Sequence, residues 1–358
     1  MKVVLSGYYG FNNIGDEAIL LSIISALKEQ KPDIEIVVLS NNPEYTKKTY
    51  GVDAINRWQM KDVLAVLKTS DGLISGGGSL LQDKTGMKSI PYYTGIMMLA
   101  RMAGKPFFIY SQGMGPIDKS VSQFLTRMML KKAGKITLRD TGSIQLLKDI
   151  GLRNEMELVP DPVLGFHLDE AKSDWYEQQA FTKPVLTVSV REWPTTNDFK
   201  RKIAEALDDF IRKGNEVVFI PMHDKHDDDT SREILAMMSE KAYVAPYNAS
   251  IEEKVSIIGL SDMLLAMRLH ALIFAGIMNT PFIALSYDPK IDAFSEQANQ
   301  PVFAHIDGEW TSEELAEALS HHLEALPREK EKLRSAVAPL TAKAKDTARQ
   351  AIELFARS

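Results

Sequence analysis

The sequence predicts an α/β protein of two doubly wound parallel-sheet domains facing a central cleft. Short apolar runs, each closing on a polar or glycine-rich loop, alternate with helical segments along most of the chain. The alternation comes in two blocks, parted by the polar, strand-free stretch 168–183. A length of 358 residues also suits two domains. The expected division is a first domain over 1–167, a linker over 168–183 and a second domain over 184–358. The last helix is a candidate to cross back to the first domain.

The first block opens with KVVLSG, an apolar strand ending in glycine, followed by a helix from Asp16 to about Lys28. EIVVLS, DGLISGGG, PFFIYSQG, KITLRD and MELVPDP read as further strands with their loops. The second block supplies VLTVSVRE, EVVFIPMHD, AYVAP, MLLAM and PFIALSY. Helices are expected over 197–213, 230–240 and 251–260, and from Met267 to about Ile277. A final helix over 328–356 should break or kink near Pro339, which lacks the amide hydrogen a helix interior needs.

Composition narrows the function. A formal charge of −6 argues against a nucleic-acid partner. The absence of cysteine excludes disulfides, thiolate zinc sites and cysteine nucleophiles. The N-terminus enters a strand with no signal peptide, and no apolar run reaches membrane-spanning length. A cytoplasmic globular protein is expected.

Ligands of doubly wound sheets bind beyond the carboxyl ends of the strands, so the chemistry is sought there. GYYGFNNIGDEAIL spaces Gly7, Gly10 and Gly15 unlike a dinucleotide fingerprint. Asp16 and Glu17 occupy the helix start where a phosphate would sit. They either cap the helix or, as carboxylates, bind sugar hydroxyls and act as general base. Gly76, Gly77 and Gly78 make either a tight turn or a close approach to ligand, with Ser79 and Gln82 as hydrogen-bonding groups behind them. Gln112 follows another apolar strand. Arg139 with Asp140, and Asp161 between two prolines, close two more.

The second block ends its strands on cations instead: Arg191, then His223, Lys225 and His226, then Arg268 and His270, then Lys290. Arginine suits carboxylates and phosphates. Arg268 and His270 interrupt an apolar strand and helix. A buried arginine there needs a partner, either a bound anion or an internal carboxylate. His270 can serve as a proton donor near neutral pH. HDKHDDD, at 223–229, reads as a solvated acidic loop rather than a metal site. Arg127, Lys131, Lys132 and Lys135 form either an ordinary basic helix end or a membrane-docking patch.

Taken in order, GDEAIL, GGGSLLQD, SQGMGP, LRDTGS, VPDPV, RLHALIFA and SYDPK resemble the polysaccharide pyruvyltransferase family, and they cover most of the chain. The match looks nearest to the bacterial enzymes that pyruvylate secondary cell wall polymers, which anchor S-layer proteins. The resemblance implies a GT-B-like fold of two Rossmann-like domains. It implies phosphoenolpyruvate as donor, an N-acetylmannosamine unit of a lipid-linked precursor as acceptor and a 4,6-ketal as product. No cofactor or metal is expected. The donor side would use Arg268, Arg191, Lys290 and Lys225, with His270 as acid. The acceptor side would use Asp16 or Glu17 as base, with Gly15, Gly77, Gly78, Gln82, Gln112, Arg139 and Asp161. A lipid-linked acceptor would bring the chain to the inner face of the plasma membrane. The competing readings are a nucleotide-sugar glycosyltransferase on the same fold and a non-catalytic polysaccharide-binding module.

Overall fold

A computed structural model describes residues 1–11, 13–83, 88–168 and 170–357. The chain divides into two compact units, Met1–Phe166 with Leu340–Ser358, and His167–Pro339.

In the first unit, strands β1 (Lys2–Ser6), β2 (Glu35–Ser40), β3 (Asp53–Asn56), β4 (Gly72–Gly76), β5 (Phe107–Gln112), β6 (Lys135–Leu138) and β7 (Glu157–Leu158) form one sheet. Its order is β3-β2-β1-β4-β5-β6-β7, with parallel pairing throughout. Helices α1 (Ile14–Gln30), α2 (Pro43–Tyr50), α3 (Met60–Lys68), α4 (Ser89–Met102), α5 (Ser120–Leu130) and α6 (Thr141–Asp149) connect them. β1 lies between β2 and β4, with Val4 beside Val37 and Leu73. Both faces of these inner strands are covered, which is why KVVLS and GLISG read as continuous apolar runs rather than alternating ones.

The second unit repeats the plan. Strands β8 (Val185–Ser189), β9 (Glu216–Phe219), β10 (Tyr243–Val244), β11 (Met263–Ala266), β12 (Phe282–Ser286) and β13 (Val302–His305) are ordered β10-β9-β8-β11-β12-β13, all parallel. Its helices are α7 (Asp174–Gln178), α8 (Phe199–Arg212), α9 (Asp224–Met237), α10 (Ile251–Leu260), α11 (Leu269–Met278), α12 (Pro289–Gln297), α13 (Ser312–Glu324) and the first part of α14 (Leu326–Ala356).

Several expectations are corrected. Strands β3 and β13 were not foreseen: DAIN and VFAH are short edge strands with little burial to mark them. The stretch expected as a linker carries α7, and Tyr176 Oη donates to Leu260 O at 3.0 Å; its residue Asp169 lies outside the described residues. The acidic run after β9 is not a loop. It forms the first turns of α9, where negative side chains suit the positive end of the helix. α14 is assigned as one helix through Pro339, and the two units divide at that residue.

Candidate active site

The sheet order of the first unit changes direction between β1 and β4, the point where doubly wound sheets open a crevice. A cavity of about 880 Å³ lies there, within the usual range for small-molecule sites. Tyr8 and Phe11 reach it from the loop after β1, Asp16 from the first turn of α1, Arg57 and Trp58 from the residues after β3, Ser79 and Gln82 from those after β4, and Tyr92 and Tyr93 from α4.

Asp16 is the carboxylic acid that lines this cavity among the described residues. Burial pushes its carboxyl up from the ordinary aspartate value of 3.8 to about 7; Arg139 opposes the shift, while Glu17 and Asp161 add to it. A carboxyl poised near neutrality is suited to taking a proton from a hydroxyl. Behind it stands a fixed polar group. Arg139 Nη1 donates to Asp161 Oδ2 at 2.9 Å, and its Nη2 donates to Ser79 Oγ at 3.2 Å. Arg139 is therefore paired across to Asp161, not to its chain neighbour Asp140, which caps α6 through Ser143 N at 2.6 Å. The pair is nearly buried, at 11% and 7% side-chain exposure, so it is not a surface ion pair. The bend at Gly78 lies against Asp16, since a Cβ there would stand 2.9 Å from Asp16 Oδ1. Its φ of +70° also favours glycine.

Other predicted residues are committed to the fold. Glu17, the alternative base, is buried and turns away from the cavity. It accepts Gly10 N at 2.8 Å and Tyr50 Oη at 2.6 Å, and so ties the loop after β1 to α2. Tyr50→Phe should accordingly cost about 1.5–3 kcal/mol, the range for a hydrogen bond to a charged group, and leave turnover intact; urea unfolding beside an activity assay checks both. Gln112 is fully buried, and its Nε2 donates to Ser75 O and Oγ at 2.9 and 2.7 Å. It cross-links β5 to β4. Gly77 leaves room for Ile19 of α1, whose Cγ2 would lie 2.0 Å from an added Cβ. Gly15 donates its N–H to the capping Asn13 Oδ1 at 3.1 Å. Gln82 does line the cavity.

The aromatic wall and Arg57 were missed. Tyr8 and Phe11 stack at 4.0 Å between ring centroids, and Trp58 leans on Tyr92 at 5.1 Å. Tyr8 and Trp58 remain 42% and 56% exposed, flat apolar faces open to a ligand. Trp58 is held by a 3.0 Å bond from Nε1 to Asn41 Oδ1. Arg57 is buried and has no carboxylate partner among the described residues. Its guanidinium lies 4.3 Å from the Tyr92 ring centroid and 5.1–5.4 Å from those of Phe11, Trp58 and Tyr93. It donates to Gly7 O at 2.8 Å and Tyr93 Oη at 3.2 Å. It therefore positions the wall. The signal available in the sequence was the aromatic doublets of GYYG and PYYT.

In the second unit the equivalent point lies between β8 and β11. Arg191 follows β8; its Nη1 donates to Tyr287 Oη, beyond β12, at 2.8 Å. The guanidinium also lies over the Tyr287 ring, 4.8 Å from its centroid. Arg268 stands at the N-cap position of α11 without a side-chain capping bond, and His270 occupies the first turn, partly buried. Of the two partners the sequence left open for Arg268, a bound anion or an internal carboxylate, the structure shows the carboxylate. Asp227 is its partner, bonded by both carboxylate oxygens to Nε (2.8 Å) and Nη2. Asp227 is 1% exposed and Arg268 20%, so the arginine is anchored from within and keeps one accessible edge. Asp227 Oδ2 also accepts Met222 N at 3.2 Å and His223 N at 3.0 Å. The supposed solvated acidic loop thus supplies the anchor. Lys225 and Lys290 are exposed in the first turns of α9 and α12. Among the described residues, no group of three or more histidine or acidic side chains has the geometry to hold a metal ion.

A profile of the family described as polysaccharide pyruvyl transferase matches residues 13–289. The amylovoran biosynthesis protein AmsJ of Erwinia amylovora is 22% identical over 370 residues, spanning 85% of this chain and 88% of its own. Among solved structures, the UDP-GlcNAc 2-epimerase from Methanocaldococcus jannaschii superimposes with a TM-score of 0.70 at 12% identity, covering 99% of this chain and all of its own. Anabaena Alr3699/HepE in complex with UDP-glucose gives 0.65 at 12% identity, with both chains fully covered. The E. coli ADP-heptose lps heptosyltransferase II gives 0.55 at 16%, covering 90% of this chain and 99% of its own. At such identities the likeness is one of fold, and that fold is GT-B-like.

Proposed function

Because this chain belongs to the polysaccharide pyruvyl transferase family, and is a pyruvyltransferase of polysaccharide biosynthesis, we propose that it moves pyruvate from phosphoenolpyruvate onto a lipid-linked sugar. The acceptor we assign is an N-acetylmannosamine unit of a cell wall polymer precursor, of the kind that anchors S-layer proteins. The product is a 4,6-ketal, with phosphate released.

The observation that carries this reading is Asp16, a carboxyl held near pH 7 in a large aromatic-walled cavity. Aromatic faces suit the C–H faces of a sugar ring, and a carboxylate suits its hydroxyls. The first unit takes the acceptor, with Asp16 as base and Ser79 and Gln82 as hydrogen-bonding groups. The second unit takes the donor. Arg268, fixed by Asp227, and Arg191, fixed by Tyr287, present cations for the carboxylate and phosphate. Lys290 and Lys225 add positive charge.

His270 protonates the methylene carbon of phosphoenolpyruvate, leaving positive charge at C2. One sugar hydroxyl attacks C2 and gives its proton to Asp16. The C2–O bond to phosphate then breaks. The departing phosphate takes the proton from Asp16, and the second hydroxyl closes the ring and gives its proton to His270. No cofactor enters this scheme.

Thermal unfolding with added ligand tests it. Phosphoenolpyruvate at 100 times its Kd should stabilise by about 2.7 kcal/mol. The gain should be absent in Arg191→Ala, and acceptor should trigger phosphate release. Stabilisation by a UDP-sugar alone would favour a glycosyltransferase. Binding of saccharide without phosphate release would favour a non-catalytic module.

A further inference from the structure

We propose that the outward faces of α4 and α5 form a docking surface for an anionic lipid bilayer. The two helices pack side by side on the first unit. Their solvent faces carry large apolar side chains: Met102 is 69% exposed, Val121 70%, Phe124 55% and Met98 41%. Water gains nothing from such groups, and apolar residues gathered on one face mark a contact surface.

The charge of the same region names the partner. Residues 88–135 hold eight basic side chains and a single acidic one, Asp118, in a chain whose overall charge is −6. Neither helix contains an acidic residue. Arg101, Lys105, Lys119, Lys131 and Lys132 have no carboxylate partner in the ion pairs of the described residues. Lys135, by contrast, is held by Glu157 at 2.9 Å, so the basic helix end seen in the sequence is only partly available. Exposed methionine, valine and phenylalanine on helices flanked along the chain by lysine and arginine that enter no ion pair of the described residues fit the interface of a membrane. The apolar groups enter the acyl boundary and the cations meet anionic headgroups. Among the described residues no helix is long and apolar enough to cross a membrane, so the contact would be peripheral.

Position ties this surface to the cavity. Ser89, Tyr92 and Tyr93 at the start of α4 line it. Met102 lies ten residues beyond Tyr92 on the same helix, about 15 Å along the axis. A bilayer at α4 and α5 would bring a lipid-linked saccharide close to Asp16. This last link rests on the acceptor class proposed above, whereas the surface itself does not.

Sedimentation with vesicles tests the surface. Phosphatidylcholine vesicles are compared with vesicles of phosphatidylcholine and phosphatidylglycerol. The wild type should bind the mixed vesicles at least about tenfold more tightly, less so as salt rises. The double variants Met102→Glu with Phe124→Glu, and Lys131→Glu with Lys132→Glu, should each lose about tenfold or more of that binding. All four side chains are exposed, so the melting temperature and the shift caused by phosphoenolpyruvate should stay at wild-type values. Equal binding to both vesicle types, or wild-type binding by both variants, would overturn the proposal. Vesicle binding as expected with no response to phosphoenolpyruvate would leave the surface standing and remove the donor assignment instead.

Discussion

Asp16→Asn should sharply slow phosphate release from phosphoenolpyruvate and at the same time raise the melting temperature at pH 8. The substitution keeps the shape of the side chain but cannot accept a proton. Loss of a positioned general base costs roughly 10²- to 10⁴-fold in rate. The wild-type rate should rise with pH through about 7, as the carboxyl ionises, and that limb should be missing from the residual activity of the variant. The stability effect has a definite sign. The carboxyl titrates near 3.8 when unfolded and about 7 when folded, so between those values the folded chain binds the extra proton. Stability therefore falls as pH rises across that window, and the full cost is present at pH 8. Asparagine carries no charge and escapes it. The gain should shrink toward pH 4. A variant with wild-type turnover would remove Asp16 from the base role, and one less stable than wild type at pH 8 would remove the upward shift of its carboxyl.

The largest loss of stability is expected from Asp227→Ala. This carboxylate is almost wholly buried, holds Arg268 through both oxygens and accepts two backbone N–H groups at the start of α9. Removing it leaves a partly buried guanidinium without its counter-charge and orphans both amides. Breaking a buried pair from one side typically costs about 3–5 kcal/mol. Urea unfolding should show the midpoint falling with little change in slope. Donor binding should weaken as well, because Arg268 loses the partner that fixes its orientation. A change below about 1 kcal/mol, the ceiling for most exposed pairs, would mean that the contact contributes no more than a surface ion pair.

Much of the fold was legible because the inner strands are covered on both faces and so appear as unbroken apolar runs. The inner strands β1, β4, β5, β8 and β11 were marked that way. DAIN and VFAH were not, since an edge strand needs fewer apolar residues. At the site, position along the chain was informative and partnership was not. Asp16 could be placed at a strand end from sequence, but only three-dimensional packing shows that it enters the cavity while its neighbour Glu17 turns to Tyr50. Arg268 was recognised as a buried cation, yet its partner lies 41 residues away in a segment that looked like solvated loop. Arg57 escaped notice because its charge is met by rings rather than by an acid.

The return of residues 340–358 to the first unit has a consequence for how the protein is made. Ala348, Ala351 and Phe355 of α14 are buried, and Phe355 packs so closely on Gly72 of β4 that a Cβ there would lie 2.3 Å from its ring. Gln350 bonds to Glu157 of β7, and Lys345 pairs with Glu29 of α1. On a translating ribosome, the unit that begins first is therefore finished last. Its sheet must wait, with that flank uncovered, while the whole of the second unit is synthesised, and only then receive its closing helix.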